Sequence, residues 1–166
     1  MNVYKGRVFA VELDNVWLPN GKEHHYATIR HPPSVILIPL QDDGKVVLIS
    51  QYRHALARKI WEVPAGNVNA GESPDAAAAR ECEEEIGLVP TKIERIGGFF
   101  PAPGYCDEEM IFYRVSGLKT PPADSPNKPD EDEDIESRAM TIADAKAMVM
   151  RGEIVDLKTA YALTLI

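Results

Sequence analysis

The sequence predicts an α/β fold of the α+β kind, in which an N-terminal antiparallel β-hairpin or small sheet precedes one packed unit of strands and helices. Three observations predict it. Two runs rich in Val and Ile, 34–40 and 45–52, have the composition of core strands. A capped helical segment at 73–86 follows them, and further strand-like and helix-like runs complete the chain. The length of 166 residues suits a single core that needs neither disulfides nor a metal to hold it.

Residues 7–13 and 27–31 flank Leu18-Pro19-Asn20-Gly21, a turn signal, and so read as the N-terminal hairpin. Asp42-Asp43-Gly44 is the tight turn between the two core strands. Ser73 can cap a helix, Pro74 is tolerated at its first position, and Asp75 favours the positive end of its dipole. The helix runs to Ile86, and Gly87 stops it because glycine adopts the left-handed conformation without strain. Ala79, Cys82 and Ile86 are spaced to face the sheet, with Glu81 and Glu85 on another side. Segments 93–99 and 109–115 read as strands joined by a Pro- and Gly-containing loop, 100–108, long enough to enter a cleft. Residues 119–134 are Pro-rich and then acidic, the composition of a surface segment. Two helical stretches, 141–151 and 158–165, are separated by Gly152.

The formal net charge is -8, which argues against a protein that grips nucleic acid through its phosphates, since that needs clustered Lys and Arg. A multivalent cation is a better match for such a surface. The two cysteines, Cys82 and Cys106, do not make a disulfide framework. No segment has the uninterrupted apolar length of a membrane span, and a cytoplasmic enzyme is the default expectation.

The chemistry concentrates on the 73–86 helix. Glu81, Glu84 and Glu85 are related by steps of three and four, so they project to roughly one side. A run of glutamates taken alone most often marks a solvated face. Crowded carboxylates become useful when a hard cation such as Mg²⁺ sits among them, because it prefers carboxylate oxygen and keeps positions open for water and phosphate. Arg80, four residues before Glu84, can steady it by pairing. Upstream, Pro64-Ala65-Gly66 ends a strand-like segment, where a glycine lets the backbone turn sharply and expose a carbonyl as a further oxygen donor.

Gly66, Glu72 and Arg80-Glu81-Cys82-Glu83-Glu84-Glu85-Ile86-Gly87-Leu88 together resemble the box of the Nudix hydrolases, with every polar position filled at its spacing. The one departure is Cys82 at an aliphatic position, where a buried thiol serves as a small hydrophobe. The resemblance implies a mixed β-sheet sandwiched between helices, with 33–166 as the catalytic domain and 1–32 as a β segment for homodimerisation. It implies Glu81 and Glu85 as metal ligands, Glu84 assisting, the Ala65 carbonyl contributing, and Gly66, Arg80 and Gly87 as structural support. The cofactor would be Mg²⁺, with Mn²⁺ as substitute.

Gln51-Tyr52-Arg53, Trp61-Glu62-Val63-Pro64-Ala65-Gly66 and Pro103-Gly104-Tyr105-Cys106-Asp107-Glu108 resemble the ADP-ribose and nucleotide-sugar diphosphatase branch. That branch splits the diphosphate of its small-molecule substrate into two monophosphates, and its loop glutamate, matched by Glu108, acts on the attacking water. Glu109 is the neighbouring alternative. Arg53 is the candidate phosphate contact, since a guanidinium holds two phosphate oxygens at once, and Glu62 is a candidate acceptor for a ribose or sugar hydroxyl. Trp17 and Tyr26 can stack on a base, although packing is the commoner use of such residues. His24, His25, His31 and His54 show no metal-ligand spacing, and Cys106 has no legible basic partner. Two other functions stay in view: a nucleotide-sensing regulator that has lost catalysis, and an RNA 5′-end pyrophosphohydrolase, which the acidic charge disfavours.

Overall fold

A computed structural model describes residues 1–127 and 135–166. The N-terminal sheet has three antiparallel strands, β1 (Asn2–Lys5), β2 (Ala10–Trp17) and β3 (Glu23–Arg30), in that order. Its hairpin turn lies at Leu18-Pro19-Asn20-Gly21, where the Leu18 N–H donates to the Lys22 carbonyl over 2.9 Å and Gly21 takes φ +77°. Pairing continues from Ala10↔Arg30 to Trp17↔Glu23, so both strands reach the turn and are longer than their apolar segments suggest. β1 is not among the expected elements.

The remaining strands are β4 (Ser34–Pro39), β5 (Lys45–Arg53), β6 (Arg58–Glu62), β7 (Ala65–Asn67), β8 (Lys92–Phe99), β9 (Met110–Ser116) and β10 (Ile135–Thr141). The helices are α1 (Pro74–Ile86), α2 (Ile142–Met150) and α3 (Leu157–Ala162). β4 and β5 are joined by the expected turn at Gly44 yet enter different sheets. β4 pairs parallel with β9 inside a mixed sheet of order β7-β4-β9-β8, whereas β5 is the centre of an antiparallel sheet of order β10-β5-β6.

All of β4 is buried because both its faces are covered, which is why it reads as an unbroken apolar run. Val35 and Leu37 pack with Ile111 and Tyr113 beneath Ala77, Ala78 and Cys82 of α1. Ile36 and Ile38 pack with Phe112, Leu48 of β5, Ala145 of α2 and Ala162 of α3. The mixed sheet thus lies between helices, as expected.

Both predicted stops of α1 are present: the Ser73 hydroxyl accepts from the Ala76 N–H at 3.2 Å, and Gly87 takes φ +68°. The core face differs by one position from the expected one. Ala78 and Cys82 carry it, with Ala77, while Ala79 is only half-buried. Glu81 and Glu85 are buried as well, so α1 has a core on one side and a lined cleft on the other. Burial pushes the Cys82 thiol up to about 12, consistent with a hydrophobe and not a nucleophile. β10 has no periodic signal because it is an edge strand whose residues Glu136 to Ala139 are exposed. The acidic stretch from Asp130 to Asp134 lies outside the described residues.

Candidate active site

The box assembles where β7 meets α1. Gly66 lies in extended β7, not in a left-handed turn, so its role differs from the one the sequence suggests. It supplies space. A Cβ at Gly66 would come within 2.0 Å of the Glu81 carboxyl carbon, so only glycine lets that carboxyl lie against the strand. Gly66→Ala is expected to expel Glu81 and lower kcat/KM by about 10²-fold, the cost of misplacing a functional group by roughly 1 Å. Steady-state kinetics beside a thermal melt checks this: the melt should move far less than the rate.

Arg80 is the hub of the unit. Its Nε and Nη2 hold the two oxygens of Glu72 at 2.9 and 3.0 Å, Nη2 also reaches the Asn67 carbonyl at 2.9 Å, and Nη1 reaches Glu81 and Glu84, each at 2.7 Å. One guanidinium therefore orders three carboxylates and the end of β7. Hydrogen bonding from Arg80 holds the Glu72 carboxyl below the usual range, even though burial opposes this. Glu85 accepts the Ala65 N–H at 2.8 Å, which ties the far end of the helix to the same strand.

Glu108 enters from the loop before β9. Ser34, buried at the start of β4, donates its hydroxyl to Glu108 Oε1 at 2.6 Å. His31 Nδ1 lies 3.8 Å from the same oxygen, so a histidine with no legible spacing in the sequence stands beside the candidate base. The loop is docked on the N-terminal sheet: the Ile29 N–H donates to the Tyr105 carbonyl at 2.7 Å, and Asp107 accepts the His31 N–H at 2.8 Å and Arg30 Nη1 at 3.2 Å. The His31 N–H and Arg30 together hold the Asp107 carboxyl low. Glu109, the alternative base, turns away beside Gly98 with Arg95 3.7 Å from its carboxylate.

The third wall carries two cations. Arg53 lines the cleft, and its Nε and Nη2 donate to the two oxygens of Glu62 at 2.6 and 2.7 Å. Lys158 of α3 lines the cleft too and pairs with Glu62 Oε2 from the other side. Glu62, the candidate acceptor for a sugar hydroxyl, is 1% exposed, and its oxygens face Arg53 and Lys158. Burial works against its ionisation, but Arg53 and Lys158 outweigh that and hold it below the usual range.

Glu81, Glu84, Glu85, Glu108 and Ala65 border one open cleft of about 900 Å³ with Arg53 and Lys158. Trp17 and Tyr26 are exposed elsewhere on the N-terminal sheet, and Arg7 and Val8 reach the cleft in their place. Among the described residues no three acidic, histidine or cysteine side chains are gathered closely enough to hold a metal ion, and Arg80 and the Ala65 N–H are bonded to helix carboxylates. The donors are nonetheless all oxygen and all anionic or carbonyl, which fits a hard divalent cation and not a soft one.

Acidic oxygens, a guanidinium and an ammonium thus border one cleft, a set of groups that suits a cation and a phosphate-bearing ligand. The chain belongs to the Nudix family, whose domain profile, described as the NUDIX domain, matches residues 30–158. It is 35% identical over 161 residues to the ADP-ribose pyrophosphatase of Bacillus subtilis, covering 97% of this chain and 86% of that protein. It is 34% identical over 155 residues to the ADP-ribose pyrophosphatase of Mycobacterium tuberculosis, covering 93% and 74%. The methanol dehydrogenase activator of Bacillus methanolicus is 34% identical over 161 residues, covering 97% and 86%. A solved structure described as an ADP compounds hydrolase matches with a TM-score of 0.81 at 22% identity, over 99% of this chain and 88% of that one, and shows the shared fold.

Proposed function

We propose that the protein hydrolyses the diphosphate bond of ADP-ribose or another nucleoside diphosphate sugar to a nucleoside monophosphate and a sugar phosphate. The observation that supports this best is the intact box folded into one cleft, whose lining holds the helix carboxylates together with Glu108 and Arg53. The names of the relatives supply the substrate class. Glu81 and Glu85 would hold Mg²⁺, or Mn²⁺, with Glu84 and the Ala65 carbonyl assisting. When bound, such a cation neutralises phosphate charge and makes water more acidic.

The chain's own residues divide the rest of the reaction. Arg53 binds a phosphate oxygen and orients the diphosphate. Glu108, steered by the Ser34 hydroxyl, takes the proton of the water that attacks phosphorus as the bridging P–O bond breaks. Glu108→Gln keeps the size and loses the basicity, and a fall in kcat of about 10²-fold with little change in KM is expected. A wild-type kcat in that variant would move the base elsewhere.

A panel of ADP-ribose, GDP-mannose, UDP-glucose, ADP-glucose, FAD and triphosphorylated RNA, each with and without Mg²⁺, tests the reading. Turnover of a nucleotide sugar that ceases with EDTA is the expected result. The relative named as an activator favours a second reading, a nucleotide-sensing regulator, which would show affinity without turnover.

We also propose a homodimer built through the N-terminal sheet, whose Val3, Val16, Trp17 and Tyr26 are exposed in a single chain. Light scattering should give twice 18.4 kDa, and a monomer mass at micromolar concentration would refute it. Among the described residues no helix is long and apolar enough to cross a membrane.

A further inference from the structure

Two cations in the cleft share one buried carboxylate. Glu62, at the end of β6, is 1% exposed and holds Arg53 through both oxygens, while Lys158, 96 residues away on α3, pairs with Oε2. Lys158 Nζ also reaches Asp156 Oδ2 at 3.0 Å, and its side chain is only 11% exposed. Asp156 is itself engaged, capping α3 through the Thr159 N–H at 2.9 Å, and Thr159 in turn accepts the Val63 N–H at 2.8 Å from the segment after β6. Lys158 is thus anchored at a set position on the cleft wall and is not a loose surface lysine.

The donor count points outward. Glu62 takes Nε and Nη2 of Arg53, which leaves Nη1 without a partner among the described residues. Lys158 has three N–H bonds and two carboxylate partners, which leaves one. Both residues border the cleft that holds the helix glutamates. Arg53 and Lys158 against Glu62 and Asp156 sum to no net charge, so what this wall offers a phosphate is the remaining N–H donors of the two cations.

We propose that Lys158 is a second direct contact for the substrate's diphosphate, acting with Arg53, and that Glu62 is the positioning residue that holds both. This rests on the diphosphatase reading of the site. Lys158→Met should raise KM for ADP-ribose by about 10- to 100-fold, the worth of a charge-assisted hydrogen bond, with a smaller change in kcat. Lys158→Arg keeps the charge and should recover most of the affinity.

The single variant leaves Glu62 short of a partner, so Glu62→Gln/Lys158→Met removes the buried charge together with the lysine and serves if Lys158→Met does not fold. KM should remain raised in the double variant. A wild-type KM in Lys158→Met, or its restoration in the double variant, would show that the lysine only balances Glu62 and would overturn the proposal. If instead the wild-type protein turns over no nucleotide sugar at all, the diphosphatase reading fails, a result separate from any effect of the lysine.

Discussion

Glu85→Gln is expected to lower kcat/KM for the best nucleotide-sugar substrate by about 10³-fold or more, equivalent to about 4 kcal/mol of transition-state stabilisation. The change keeps the side chain's size and its capacity to accept the Ala65 N–H, which the native carboxylate does at 2.8 Å through Oε2. What it removes is charge, at a position 7% exposed and within the field of Arg53. A cation held by this wall would lose a formal negative charge among its ligands, so the KM for Mg²⁺ should rise together with the loss of rate. The measurement is kcat/KM as a function of Mg²⁺ concentration. Full turnover at every concentration would show that Glu85 binds no metal.

Arg80→Met is expected to have the largest effect on stability, a loss of about 3 kcal/mol in urea unfolding at neutral pH. Breaking a mostly buried ion network costs roughly 3–5 kcal/mol, and the 19% exposure of this side chain puts it at the lower end. The native guanidinium faces Glu72, Glu81 and Glu84 at once, so the variant leaves three carboxylates crowded without a counter-charge. The effect has a pH signature. Arg80 holds the Glu72 carboxyl below its unfolded value of about 4.3, so the stabilisation it gives is present above that pH and is lost as pH falls through the lower folded value. The gap between wild type and Arg80→Met should therefore narrow in acid. A gap that stays constant down to about pH 3 would mean that packing of the arginine stem, and not its charge, accounts for the loss.

Much of the site could be read along the chain because it is local. Steps of three and four place Glu81, Glu84 and Glu85 on one side of a helix, and Ser73 and Gly87 bound that helix through bonds that span three or four residues. Gly66 was legible as part of the pattern but not in its purpose. The sharp turn inferred from its residue type gave way to an extended strand, because the need for glycine comes from a carboxyl on another element.

Taken alone, the sequence determined the family pattern, the capped glutamate helix, the buried strand β4 and the acidic character of the chain, all properties of residue type and short spacing. Only the tertiary structure decided which glutamate of the 108–109 pair faces the cleft, that Ser34 and His31 stand beside it, that Glu62 is buried against Arg53, and that Lys158 reaches the same wall. The physical reason is separation. Ser34 and Glu108 are 74 residues apart and Glu62 and Lys158 are 96 apart, so their pairing depends on how β4, β6 and α3 pack, and no local periodicity encodes that.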